Sequence, residues 1–275
     1  MKKLIGPFLW AMFFTCVVTF GQNSSATLPK GARSAGMANA HVTLSDAWSI
    51  FNNIGAMGEL EGSEVFCAYD HRLGLNELTT LAAGGVTHSS LGNFGVSFSH
   101  FGGELFNQQV IGFGFAHQIG ISSIGLKASY FQTNIEGYGR SAQPVLELGG
   151  LTKLGPQLFF GAHIYNITRT KISNKSNDFL PTIIKAGLSY QPNDKLTANI
   201  EAEKDILLDP TVKVGIEYGF ARRFWARCGI RSQPSNIFFG IGFKPDNFSI
   251  DYAMGQNNQL GVTHHFSINY VFISP

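Results

Sequence analysis

The sequence predicts an all-β chain closed into a transmembrane antiparallel β-barrel of about 14 strands, with twelve or sixteen as the even-numbered neighbours. Three observations predict it. Apolar and polar residues alternate with period two along most of the chain, as in Val212, Val214, Ile216, Tyr218 against Lys213, Gly215, Glu217, Gly219. Only 14% of residues are charged and the mean hydropathy is slightly positive. After the first 21 residues, no stretch approaches the roughly 18 uninterrupted apolar residues of a helical span. Period-two alternation puts successive side chains on opposite faces of a strand. A chain this apolar, without helical spans, satisfies its backbone in lipid only by closing into a barrel. The 32 glycines and 24 phenylalanines fit that architecture, small residues lining the lumen and aromatics facing lipid.

Taken in order, the chain opens with Lys2 and Lys3, an apolar run from Leu4 to Phe20, and the small pair Thr19 and Gly21. Residues 1–21 therefore read as a cleaved signal peptide that removes Cys16 and exports residues 22–275. An N-terminal membrane helix is the competing reading, against which the run is short. Residues 31–60 do not alternate. They carry Gly31, Ala32, Ala35, Gly36, Ala38 and Ala40, a strand-like piece at His41 to Leu44, and Ser45 to Phe51, which predicts a short helix with Ser45 as N-cap, ended by Asn52, Asn53 and Gly55. Small residues pack where backbones meet, so this segment is expected as a plug or hatch in the lumen; a periplasmic cap or a leader is the alternative. Residues 64–272 then hold the strands.

The expected strands run 64–71, 78–88, 92–101, 108–118, 123–135, 142–153, 157–168, 180–190, 196–204, 211–220, 223–230, 236–244, 247–254 and 261–272. Turn residues separate them, as at Gln191-Pro192-Asn193-Asp194 and Lys244-Pro245-Asp246-Asn247. The longest expected loop, Lys171 to Asp178, is modest.

Little of the sequence suggests reaction chemistry. Gly112-Phe113-Gly114 and Gly240-Ile241-Gly242 sit in alternating strands, not between a strand and a helix, so they read as lumen lining and not as phosphate loops. His264 and His265 point to opposite faces of one strand and cannot share a metal ion. His100, His117 and His163 stand apart, and no nucleophile is paired with a base. The formal charge of +2 gives no reason to expect nucleic acid. Neither an enzyme nor a cofactor is expected. Cys67 and Cys228 fall on the parity that faces lipid or a neighbouring apolar surface and are expected as buried free thiols, a disulfide being the alternative.

Parity places Lys127, Lys185, Glu201, Glu203, Lys213, Glu217, Arg227, Arg231 and Asp251 inside the barrel, with opposite signs on neighbouring strands. Such a set predicts a cross-strand ion-pair network that fills the lumen and holds the plug; a solute-selecting constriction is the alternative. Arg33, Asp46 and Asn52 are the plug residues expected to meet that wall.

The run Gly31-Ala32-Arg33-Ser34-Ala35-Gly36-Met37-Ala38-Asn39-Ala40, followed by Ser45-Asp46-Ala47-Trp48-Ser49-Ile50-Phe51-Asn52-Asn53, resembles the N-terminal motif of the PorV/PorQ family of Bacteroidetes outer-membrane proteins, relatives of FadL-like transporters. Ile54-Gly55 stands where that motif carries proline. Leu180-Pro181 leading into Ala186-Gly187-Leu188-Ser189-Tyr190, Ser249 to Ala253, and Leu260 to Ser267 are similar to the family as well. The resemblance implies a bacterial outer-membrane barrel of the FadL-like type, typically 14-stranded, with its N-terminal segment in the lumen. It implies either an accessory, partner-binding role in type IX protein secretion or, alternatively, passive transport of hydrophobic compounds. The expected partners are accordingly outer-membrane lipid, secretion components or exported cargo, and hydrophobic small molecules.

Overall fold

The computed structural model describes residues 29–173, 178–257 and 261–272. The expected signal peptide, with Cys16, lies outside them. The strands are β1 (Ser63–Arg72), β2 (Leu75–Thr87), β3 (Asn93–Gly102), β4 (Phe106–Ile119), β5 (Ser122–Ile135), β6 (Gly139–Lys153), β7 (Leu158–Tyr165), β8 (Ile183–Asn193), β9 (Leu196–Asp205), β10 (Thr211–Ala221), β11 (Phe224–Arg231), β12 (Asn236–Phe243), β13 (Phe248–Asn257) and β14 (Gly261–Phe272). Each pairs antiparallel with its sequence neighbour, and β14 closes on β1 from Ser63↔Phe272 to Arg72↔Thr263, giving a closed 14-stranded barrel.

Alternation explains every strand. In β10, Lys213, Gly215, Glu217 and Gly219 are buried, whereas Val212, Ile216 and Tyr218 stand exposed on the outside. Val96, Phe98, Ile111, Phe113, Ile241 and Phe266 continue that apolar exterior around the barrel. Outside water, such a surface is matched only by lipid. Cys67 and Cys228 are free as expected but exposed and not buried, because the outer face on which they stand carries no further layer of protein.

The rim that carries both barrel ends, Ser63 and Phe272, is closed by short turns and is called here the terminal rim. The opposite, loop rim carries the long connection Asn166–Thr182, which exceeds the loop expected at 171–178. Strand β7 stops at Tyr165 and β8 starts at Ile183, because Asn166 takes the left-handed conformation (φ 57°) and folds the chain away from the sheet. Its Nδ2 donates to the carbonyls of Leu180 and Pro181 and its Oδ1 accepts from Thr170 N–H, fixing the base of the loop.

This connection replaces part of the wall. Strand β7 pairs only with Glu147–Lys153 of β6, leaving the outer half of β6 without a strand partner on that side. The loop covers this seam through Ile167 N–H to Leu146 O, Thr170 Oγ1 to Pro144 O (2.9 Å) and Ser141 Oγ to Ile172 O (2.8 Å). A residue's N–H and C=O point to the same side of an antiparallel strand. Pro144 therefore places its missing N–H where no ladder exists, as edge prolines do.

Inside the barrel lie α1 (Ala32–Gly36), α2 (Ser49–Asn52) and a 3₁₀ helix, Ile54–Glu59. Two expectations for this segment are corrected. Residues 41–44 form turns, not a strand. The second helix begins at Ser49 with Trp48 at its N-cap position, because Ser45 Oγ is engaged by Ala56 O and so caps nothing, while Asp46 Oδ1 accepts Trp48 N–H in a local turn that delays the helix.

Replacing Ile216, 42% exposed on the outer face, with Arg should destabilise the barrel by about 2 to 4 kcal/mol if the site lies near the bilayer midplane. Unfolding titrations in lipid vesicles measure this; an effect near zero would place the position outside the hydrocarbon.

Candidate functional site

The lumen and its plug form the candidate site. Glycines on nine strands form a belt that the plug leans on, with backbone at most of them and with the side chains of Val42, Ile50, Ile54 and Met57 at Gly95, Gly114 and Gly187. Strands β3 to β8 contribute Gly95, Gly114, Gly125, Gly149, Gly161 and Gly187, and β10 to β12 contribute Gly215, Gly229 and Gly240. Four of the pairings across strands are glycine to glycine: Gly95↔Gly114, Gly125↔Gly149, Gly161↔Gly187 and Gly215↔Gly229. A Cβ on Gly215 would meet Met37 Cβ at 2.5 Å and Met37 O at 2.6 Å; one on Gly36 would meet the backbone of Gly240 at 3.1 Å. Any side chain there would push the plug off the wall.

Hydrogen bonds then pin the seated backbone. Glu201 Oε2 accepts the N–H groups of His41 and Val42, both at 2.8 Å, and Asn199 Nδ2 donates to Ala40 O. Asn53 Nδ2 donates to Val42 O and Gly150 O, and Ser123 Oγ to Gly55 O. Ala32 N–H reaches Ser267 Oγ and Trp48 Nε1 reaches Asn269 Oδ1 at 2.8 Å.

On the terminal-rim side, Arg33 bridges plug and wall. It donates to Asp46 Oδ2 at 3.0 Å and, through two nitrogens, to the Glu217 carboxylate at 3.0 and 2.6 Å. Arg227 binds Glu217 from the other side at 2.5 Å and Asp251 at 2.6 Å. This chain forms part of the lining of a vestibule of about 750 Å³ whose wall also includes Trp48, Trp225 and Phe248. Arg33 and Asp46 thus sit where plug meets wall. Asn52 does not; its side chain stays within the plug, on Lys30 and Ser34.

On the loop-rim side, Lys213 pairs with Glu201 at 3.0 Å and Glu203 at 2.6 Å, and Lys185 lies 3.8 Å from Glu203. Lys127 pairs with Glu147 at 2.9 Å. Arg231 lies over the Phe238 ring and makes no ion pair among the described residues. Next to the Lys127–Glu147 pair is a cavity of about 20 Å³ lined by Phe51, Ser99, Lys127, Glu147, His163 and Lys185. Val110, Tyr165 and Ile183 also line it, and they belong to a buried apolar cluster completed by Phe131, Val145 and Leu180, against which Ile172 packs. Polar chamber and apolar cluster are therefore contiguous, and the cluster lies against the seam.

Two buried histidines are absent from the interior set read by parity. His163 is paired in register with Lys185, so the strand alternation carried a signal for it. His41 had none, because the plug does not alternate. Both ring nitrogens of His41 lack hydrogen-bond partners in the interior. Burial, then the ammonium groups of Lys185 and Lys213, hold its pKa well below the usual histidine range, with Glu203 opposing and His163 adding a minor like-signed contribution.

Two outcomes are expected. Replacing Glu217 with Gln leaves two buried or half-buried guanidinium groups short of charge and should lower stability by roughly 3 kcal/mol, with transient ion conductance in planar bilayers. Conductance traces as quiet as those of the unaltered protein would show that Glu217 does not hold the plug. For His41, the unseated form binds the proton more readily, so plug seating is fully stable above about pH 6.5 and weakens as pH falls below it. Hydrogen exchange at the amides of His41 and Val42 should accelerate across that range. In His41→Leu the acceleration should disappear; its persistence would assign the acid sensitivity to another group.

No family model and no curated protein matches the chain. Solved structures do. It is similar to the CymD monoaromatic hydrocarbon channel with a TM-score of 0.71 at 13% identity, over 89% of this chain and 98% of that one. It is similar to the Pseudomonas putida toluene transporter TodX with a TM-score of 0.63 at 11% identity, over 89% and 97%. The closed 14-stranded barrel expected from the sequence is thus the fold of this chain, and these solved channels share it.

Proposed function

We propose that the chain is an outer-membrane channel that passes small apolar molecules without chemical change, the short-turned terminal rim facing the periplasm. The observation that carries this reading is the seam beside β6, where loop contacts stand in for a strand and an apolar cluster of lumen side chains lies directly behind. Elsewhere the inner wall is charged, glycine-lined or covered by the plug, which suits neither an open aqueous pore nor a greasy tunnel. An apolar molecule loses hydration on entering such a cluster and meets no unpaired charge there. The fold shared with hydrocarbon channels supports the same reading. The secretion-accessory role rests on the PorV/PorQ resemblance of the sequence alone. Export through residues 1–21 is part of the proposal.

Cells whose outer membrane carries the protein should accumulate radiolabelled toluene several-fold faster than cells lacking it. A Ser141→Cys, Ile172→Cys variant should lose this gain under oxidant and recover it under reductant, since the crosslink holds the loop on β6. Equal accumulation with and without correctly assembled protein would overturn the channel reading, and secretion proteins recovered with it from solubilised membranes would favour the accessory role.

A further inference from the structure

The chamber beside the apolar cluster is chemically specific, and the inference drawn from it rests on the channel reading above. Its cavity of about 20 Å³ holds one water-sized group. His163 is 2% exposed and lines it; its Nε2 lies 3.3 Å from Glu147 Oε2 but off the hydrogen-bonding direction, so neither ring nitrogen has a hydrogen-bond partner. Lys185 lies at 3.8 Å from Glu203, beyond hydrogen-bond distance. Lys127 and Ser99 complete the polar lining. A buried polar group left unmade costs free energy, and a ligand atom that supplies the missing bond recovers it.

The charges decide which kind of atom fits. Lys127 is matched by Glu147 and Lys185 by Glu203, so the chamber is close to neutral. A carboxylate would enter against the Glu147 oxygens. A plain hydrocarbon would leave the imidazole and the ammonium group unserved. A hydroxyl both donates and accepts, as does an uncharged imidazole, and its oxygen fills the volume of one water. From the chamber, Val110, Tyr165 and Ile183 lead into the apolar cluster, against which a ring or short chain attached to that hydroxyl would pack.

We propose that the molecule this lumen selects is an apolar body bearing one hydroxyl group, a phenol or alcohol of roughly monoaromatic size, with its oxygen seated between His163, Lys185 and Glu147. Sites built with buried polar partners discriminate strongly against analogues that lack the matching group.

The test compares three probes of one shape, p-cresol, toluene and p-toluate, by calorimetry at pH 8 on the full chain in lipid nanodiscs. p-Cresol should bind about tenfold tighter than toluene, the worth of roughly one net hydrogen bond, and p-toluate weakest. His163→Leu should erase the preference for p-cresol while keeping toluene binding, and the comparison on the unaltered protein stands even if that variant fails to assemble. Equal affinity for p-cresol and toluene overturns the hydroxyl site while leaving the channel intact. Tightest binding of p-toluate overturns it in favour of an anion site. Binding of none of the three overturns the channel reading and this inference with it.

Discussion

The structure depends on how closely the plug backbone approaches the wall. The glycine belt on nine strands removes the side chains that would otherwise separate them, and the small residues Gly36 and Ala38 do the same from the plug side. Everything polar near the belt is then cut off from water and must find a partner. Glu201 does so by taking two plug N–H groups and Lys213 together; Glu217 does so by taking two guanidinium groups. Such pairs are weak sources of net stability, because desolvation offsets most of their attraction. Their effect is to make one seating of the plug much better than any other.

The barrel was legible in the sequence because each strand has one face in lipid and one in a polar lumen, which forces alternation on nearly every residue. The expected strands fall within about three residues of the observed ones, and parity placed Lys127, Lys185, Glu201, Lys213, Glu217, Arg227 and Asp251 on the inner face. The plug was legible only as a segment that fails to alternate. Its helices have five and four residues, too short for periodicity, and are set by contacts such as Ser45 with Ala56 that local sequence does not announce. The loop was underestimated for a similar reason: Thr168 and Leu180 look like strand ends, yet Asn166 turns the chain aside before them.

The lumen is layered. A wide vestibule with charged groups lies at the terminal rim, then the plug, then a small polar chamber, and finally an apolar cluster under the long loop. Polar and apolar zones meet at Val110, Tyr165 and Ile183. This order separates a polar mouth from an apolar one, and the charged side chains of the lumen gather around the plug between them. The thiols on the outer face take no part in it.

The seated plug also says something about the order in which the molecule can be put together. The plug precedes β1 in the chain, yet it touches strands from β3 round to β14, with Ala32 on Ser267 and Trp48 on Asn269. The ring is sealed only when β14 joins β1. The plug is therefore fully seated only once β14 is in place, although the two lie more than 200 residues apart in the chain.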